Sequence, residues 1–234
     1  AQVNGVKYPS LAAAVEAAQA NETVTLLTSA TGAGVIINKD ITIDFDGYTY
    51  TVNQAVGSPG TVTNGFQILK DNTVTLKNGT LTSTAVTSGK EVKMLIQNYA
   101  NLTLTDMNLV DNTDHILYAL SNNSGNVNLV KNTNITTDAV AFDVYDYTAG
   151  GYAVPTVNVS TTGTIAGKIE VSESISNNLK ISGGTFTVEI AETWCVDGYI
   201  PVKNADNTWS VVPGKFIAQV NGVKYPSLAA AVEA

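Results

Sequence analysis

Between positions 143 and 152 the chain carries two carboxylates and three phenols: Asp143, Tyr145, Asp146, Tyr147 and Tyr152. Tyrosine rings stack on the apolar faces of sugars, and carboxylates accept hydrogen bonds from sugar hydroxyls, so this group suits glycan contact. The competing reading is that the tyrosines pack a loop against the body of the fold. Asp44 and Asp46, in Ile-Asp-Phe-Asp-Gly, alternate onto one face and could hold a cation, as could Asp143 and Asp146. Neither pair recurs along the chain, so no carboxylate cluster builds up, and solvated turn carboxylates are the simpler reading. His115 is alone, and a metal site needs more ligands than one. Cys195 has neither a second cysteine nor a nearby histidine and reads as a small buried residue. No catalytic residue, metal or cofactor is assigned, and the chain is not expected to be an enzyme.

Composition narrows the partners. Twelve basic residues, all lysine, face twenty acidic ones, for a formal net charge of −8. Nucleic acid and anionic membrane surfaces call for the opposite balance. One cysteine allows no disulfide within the chain. The excess of Thr, Val, Asn and Gly over charged residues favours strands and turns. Six Asn-x-Ser/Thr sequons begin at Asn21, Asn78, Asn101, Asn122, Asn134 and Asn158.

The elements that would carry these residues begin with a duplication. Residues 1–17, AQVNGVKYPSLAAAVEA, return letter for letter as residues 218–234. The chain therefore reads as one full repeat plus the start of the next. Within the motif, Asn4-Gly5 between short strand-like runs marks a type I′ hairpin. Ser10 then caps a helix from Leu11 to about Ala18, with Leu11, Ala14, Val15 and Ala18 on one face. A helix this short is marginal alone and needs an apolar surface to cover.

After an opening strand at residues 23–27, one phrase recurs: apolar-polar-apolar, a turn, then another apolar residue. It reads Ile41-Thr42-Ile43 with Tyr48, Val74-Thr75-Leu76 with Leu81, and Leu102-Thr103-Leu104 with Leu109. It continues as Val127-Asn128-Leu129 with Ile135, Val157-Asn158-Val159 with Ile165, and Leu179-Lys180-Ile181 with Phe186. A second strand precedes each phrase, at residues 35–37, 66–69, 94–97, 116–120, 142–145 and 169–171. Alternation sends Ile, Val, Leu and Phe inward and Thr, Asn and Lys outward. Six three-strand units separated by loops of variable length predict an all-β right-handed parallel β-helix, about six coils of three short strands, with an N-terminal capping helix and a C-terminal β-hairpin. A sandwich would also alternate but would not readily repeat the same phrase six times.

The expected organisation is a hairpin and capping helix at 1–22, the β-helix at 23–191, a C-terminal hairpin and junction at 192–217, and the next repeat's opening at 218–234. Residues 199–202 and 209–212 flank the turn Asn204-Ala205-Asp206-Asn207. The repeat junction is assigned to Trp194, Trp209, Phe216, Asn221, Gly222, Tyr225 and Leu228. No long Gly/Ser linker separates the copies, so they should be closely coupled.

Two stretches carry a family resemblance. V-N-G-V-K-Y-P-S-L-A-A-A-V-E-A-A at 3–18 followed by V-T-L-L at 24–27, and the closing phrase C-V-D-G-Y-I-P-V-K-N at 195–204 followed by D-N-T-W at 206–209, resemble the repeats of adhesin-like surface proteins of bacteria and archaea. The resemblance implies a pectate-lyase-like parallel β-helix between those motifs and extracellular, cell-surface display. It implies no reaction. Some β-helix proteins cut acidic polysaccharides using carboxylate-held Ca²⁺ with a strong base, or clustered Asp. This chain has no arginine and no such cluster.

The functional expectation is a non-catalytic tandem repeat of a long stalk, fibre or adhesin, partnered head to tail by further copies of itself, with signal and anchor outside this stretch. The alternatives are a carbohydrate-binding adhesin module that touches surface glycans or other cell partners, and a polysaccharide lyase or hydrolase. If the second copy packs on the first repeat's last coil and hairpin, deleting residues 218–234 should lower the melting temperature in a thermal scan; an unchanged curve would count against that coupling.

Overall fold

The computed structural model describes residues 1–233; Ala234, the last residue of the duplicated motif, lies outside them. The protein is all-β apart from short helices, and its strands form parallel ladders that climb the molecule rung by rung.

Three ladders account for almost every strand. The first runs through Glu22–Thr25, Ile41–Asp44, the starts of Thr73–Ser83 and Asn101–Val110, then Asn126–Lys131, Thr156–Thr161 and Leu179–Ile181. One inward position shows its register: Val24, Ile43, Leu76, Leu104, Leu129, Val159 and Ile181 stack in line, and Cys195 bridges Ile181 as the last rung. The second ladder aligns Ala30, Tyr50, Leu81, Leu109, Ile135, Ile165 and Phe186. The third aligns Val35, Phe66, Ile96, Leu120, Phe142 and Ile169. Most of these side chains are fully buried in one continuous core. Parallel strands of period two, each stacked on its like, bury the same face at every level.

The recurring phrase matches this register with one correction. Ile41–Ile43 is completed by Tyr50, not Tyr48. Here the chain makes an extra turn through Asp46 and Gly47, both at positive φ, and tucks Phe45 beneath Gly79, where a Cβ would collide with the Phe45 Cβ and the Tyr48 carbonyl. Two residues are absorbed, the in-out parity is preserved, and Tyr48 is left half-buried. Strand limits also shift: the expected strand at 116–120 begins at Tyr118, because Leu117 points to solvent while Ile116 is buried from a loop.

Stacked strands leave unpaired edges at both ends, and these need covering. At the start, Gln2–Val3 pairs antiparallel with Thr25 and Val24, and its turn partner Val6–Lys7 completes the hairpin. The helix α1 (Leu11–Ala17) lies over the same end. Ser10 Oγ accepts from Ala13 N at 3.1 Å, and Lys39 Nζ donates to the C-terminal carbonyls of Glu16 and Ala18 at 3.0 and 2.9 Å. Both contacts supply partners that a two-turn helix lacks. Leu11, Ala14, Val15 and Ala18 are all buried. At the far end Trp209–Pro213 pairs antiparallel with Thr185–Phe186 and with Tyr199–Lys203. Each end of the parallel stack is thus closed by an antiparallel strand.

The interior is not wholly apolar. Asn98 and Asn122 occupy inward positions next to each other on the third ladder, both fully buried. Asn98 Nδ2 donates to Asn122 Oδ1 at 2.9 Å and to the carbonyls of Ala100 and Ser124, and Asn98 Oδ1 accepts from Ala100 N. Asn122 passes the pattern upward to the Thr156 carbonyl at 3.0 Å. These amides satisfy corner backbone groups that no strand reaches. Asn98→Ala is therefore expected to cost about 2–3 kcal/mol, because it strands buried acceptors. Asn128→Ala, on the outward face, should cost no more than about 1 kcal/mol. Urea unfolding of the two variants checks the difference; equal losses would deny the amide pair its role.

Candidate functional site

The loop that follows strand Asn134–Val144 carries four of the five residues singled out for glycan contact. Its tyrosines form a stack. Tyr147 and Tyr152 lie with ring centroids 5.2 Å apart and 26° between planes, Tyr145 sits 6.1 Å from Tyr147, and Tyr99 sits 4.8 Å from Tyr152. Tyr147 also packs over Gly150, where any Cβ would press into its ring. Tyr147 and Tyr152 therefore spend their faces on the loop and on Tyr99, pinning the loop across two levels of the third ladder. Lys70 Nζ stands 5.9 Å from the Tyr152 ring and closes the stack from the other side.

Tyr145 differs. It is half exposed and borders a cleft of about 230 Å³ shared with Tyr118, Asp143, Glu170 and Ser172. Asp143 and Glu170 are in-register neighbours on the third ladder, so two carboxylates stand one rung apart. The Tyr118 hydroxyl lies 3.4 Å from Glu170 Oε2. Burial, and after it the Glu170 charge, raises the pKa of that phenol. Asp143 is almost fully buried; its carboxylate accepts from Asn122 N at 2.6 Å and Ser121 Oγ at 3.2 Å. Burial pushes its pKa up to about 7 against those two hydrogen bonds, and the Glu170 charge adds to the rise.

Asp146 does not join this cleft. It accepts from Thr148 N, Thr148 Oγ1 and Ser174 Oγ at 3.1, 2.6 and 2.6 Å, and the Ser174 bond leads the causes that lower its pKa. It is a turn-forming carboxylate. Asp44 and Asp46 do not act together either: Asp44 takes the Asp46 amide, Asn78 Nδ2 and Lys77 Nζ within 3.1 Å. Burial raises the Asp44 pKa, but those contacts outweigh it and leave it lowered. His115 is exposed on a loop, and Cys195 is a half-buried free thiol whose pKa burial pushes up to about 11. Among the described residues no group of three or more His, Cys, Asp or Glu side chains could hold a metal ion. Of the sequons, Asn122 is sealed in the interior and offers no amide to a glycosylating enzyme once folded.

Sequence reading missed Tyr99, Tyr118 and Glu170. Tyr118 and Glu170 lie one level of the third ladder away from the strand that leads into the loop, and Tyr99 follows a strand two levels away, so only the register makes them neighbours.

The duplicated motif forms the second feature. Residues Ala218–Val220 and Val223–Tyr225 pair around Asn221-Gly222, and helix α2 (Leu228–Val232) starts at Ser227, whose Oγ accepts from Ala230 N at 3.1 Å. Its local structure repeats that of the first copy, but its hairpin is a separate sheet with no ladder to the main body. It meets that body through Lys224, paired with Glu192 at 2.6 Å and 5.8 Å from the Phe216 ring. Both partners of that ion pair are about half exposed, so it adds at most about 1 kcal/mol. An apolar groove of about 570 Å³ runs between Trp209, Pro201 and Ile190 on one side and Val223, Tyr225 and Ala230 on the other. Trp194 and Trp209 pack on the main core, whereas Leu228 is 68 % exposed.

No family model, no curated protein sequence and no solved structure matches the chain.

The Asp143 environment has a measurable consequence. Its pKa lies near 7 in the folded chain and roughly 3.9 in an unfolded one, so the folded state holds the proton more firmly. The associated stabilisation is complete below about pH 4 and is lost as the pH rises through about 7. Asp143→Asn should flatten this decline. Urea midpoints at pH 5 and pH 8 check it; an unchanged gap between the two would show that Asp143 is not the group responsible.

Proposed function

We propose that this chain is a unit of a tandem array that serves as a stiff, non-catalytic spacer in an extracellular, cell-surface stalk or adhesin. In this reading the three ladders wind as a right-handed parallel β-helix, and successive copies follow head to tail. One observation carries it: residues 1–17 recur letter for letter as 218–234, and the described residues of the second copy again form a hairpin followed by a Ser-capped helix. The antiparallel strands at both ends favour a string of separately sealed units over one unbroken ladder. Seven strands of the first ladder at about 4.8 Å each give every unit a body of roughly 30 Å.

A second reading, a glycan-binding module, is favoured by the cleft in which Tyr145 and Tyr118 flank Asp143 and Glu170. Binding on a glycan array that disappears with Tyr145→Ala would support it, and an array without signal would remove it.

For the spacer, proteins of two, three and four copies should show a maximum dimension by small-angle scattering that rises linearly with copy number. Growth as roughly the square root of copy number, as for a flexibly jointed chain, would contradict the proposal.

A further inference from the structure

The Asn-x-Ser/Thr sequons differ in whether their amide nitrogen is free. Asn122 is buried, and the nitrogens of Asn78, Asn134 and Asn158 donate to Asp44, Asn108 and Asn126 at 3.1, 3.0 and 2.7 Å. Asn21 is exposed but stands outside strand Glu22–Thr25 at a φ of 67°, so strand geometry does not align it with Thr23. Asn101 opens strand Asn101–Val110 and is exposed. Residues two apart on a strand share a face, so Asn101 and Thr103 stand side by side on the outside of the first ladder. Asn101 Oδ1 accepts from Asn126 N at 3.2 Å, which orients the amide. Its Nδ2 and the Thr103 hydroxyl meet no partner among the described residues. Both groups that sequon chemistry uses are therefore open. Beside them lies a cavity of about 260 Å³ lined by Tyr99, Tyr152, Gly125, Lys70 and Asp71 as well as Asn101 itself. Tyr99, two residues before the amide, is half-buried with its ring centroid 4.8 Å from that of Tyr152. Gly125, at a φ of 78°, brings its backbone against the Ala100 carbonyl, where a Cβ has no room. The cavity is thus built from packed elements of three chain segments.

We propose that Asn101 is an N-glycosylation site and that the first sugar of its glycan lies in the Tyr99/Tyr152 cavity. The inference rests on the cell-surface reading, because export brings a chain to the glycosylating enzyme. The co-reactant is an oligosaccharide carried on a polyprenyl phosphate or diphosphate. Asn101 Nδ2 bonds to the anomeric carbon, and the bond from that carbon to the carrier oxygen breaks. The carrier phosphate leaves with the electron pair, and the amide proton passes to a base of the enzyme. The apolar face of the attached sugar packs on the tyrosine rings, while Lys70 and Asp71 meet its hydroxyls. A tether at Asn101 makes this contact intramolecular, so a shallow cavity suffices to hold the sugar. The tyrosines that pin residues 147–152 thereby seat a glycan of their own chain, separate from the cleft at Tyr145. A bulky, hydrated chain at this point also shields that loop.

Two measurements on the protein made by its own cell test this. Glycopeptide mass spectrometry of the surface fraction should find a hexose- or hexosamine-based glycan on Asn101, and Thr103→Val should remove it. The seat is tested by a thermal cycle: wild type and Tyr99→Leu are each melted with the glycan attached and after amidase release. Release turns the attachment amide into a carboxylate in both chains, so that effect cancels. Wild type should lose about 2–4 °C more than Tyr99→Leu, the shift expected from one aromatic contact in a chain of this size. A surface-exposed chain with Asn101 bare would overturn the inference and leave the cell-surface reading standing. A chain found only inside the cell would remove that reading and this inference with it. Equal losses on release from the two chains would overturn the seat in the cavity.

Discussion

A stack of parallel strands satisfies its backbone only between its ends. Each inner rung finds a partner above and below, and each terminal rung lacks one. The whole chain is arranged around that constraint. Along the first ladder aliphatic residues sit over one another, as in the column from Val24 to Ile181. At the ends the pattern changes: antiparallel strands replace parallel ones, and a helix too short to persist alone is held by the apolar surface it covers.

The two copies of the opening motif separate local from tertiary control. Hairpin, Ser cap and helix form in both, so sequence-local chemistry suffices to shape them. Burial of the helix face occurs in only the first, which lies over the strands of the main body. The motif's shape is local and its stabilisation is not.

The strand pattern was legible because period-two alternation survives loops of any length. The recurring phrase identified three inward residues per level and failed only at Tyr48, where an Asp46-Gly47 turn added two residues without changing parity. Asn98 and Asn122 could not be read as interior, since polarity argues for the surface and only the corner geometry supplies their partners. The Tyr145 cleft was half legible. Asp143 and Tyr145 stood together in the sequence, but Tyr118 and Glu170 join them through stacking, and coils of unequal length conceal which residues lie above which. The pairing of Asp143 with Asp146 was the opposite case: adjacency in sequence suggested partnership, but Asp143 is held by the neighbouring strand and Asp146 by a turn.

The central claim is that a lid is stabilised by its coil and not by itself. Residue-resolved amide hydrogen exchange compares the two lids within one chain most directly. The account predicts slow exchange in the helix of residues 11–17 and fast exchange in the helix of residues 228–232. Fusing a second copy of residues 18–191 after residue 234 should then bring the second lid to the protection of the first. Equal protection of both lids before any extension would contradict it.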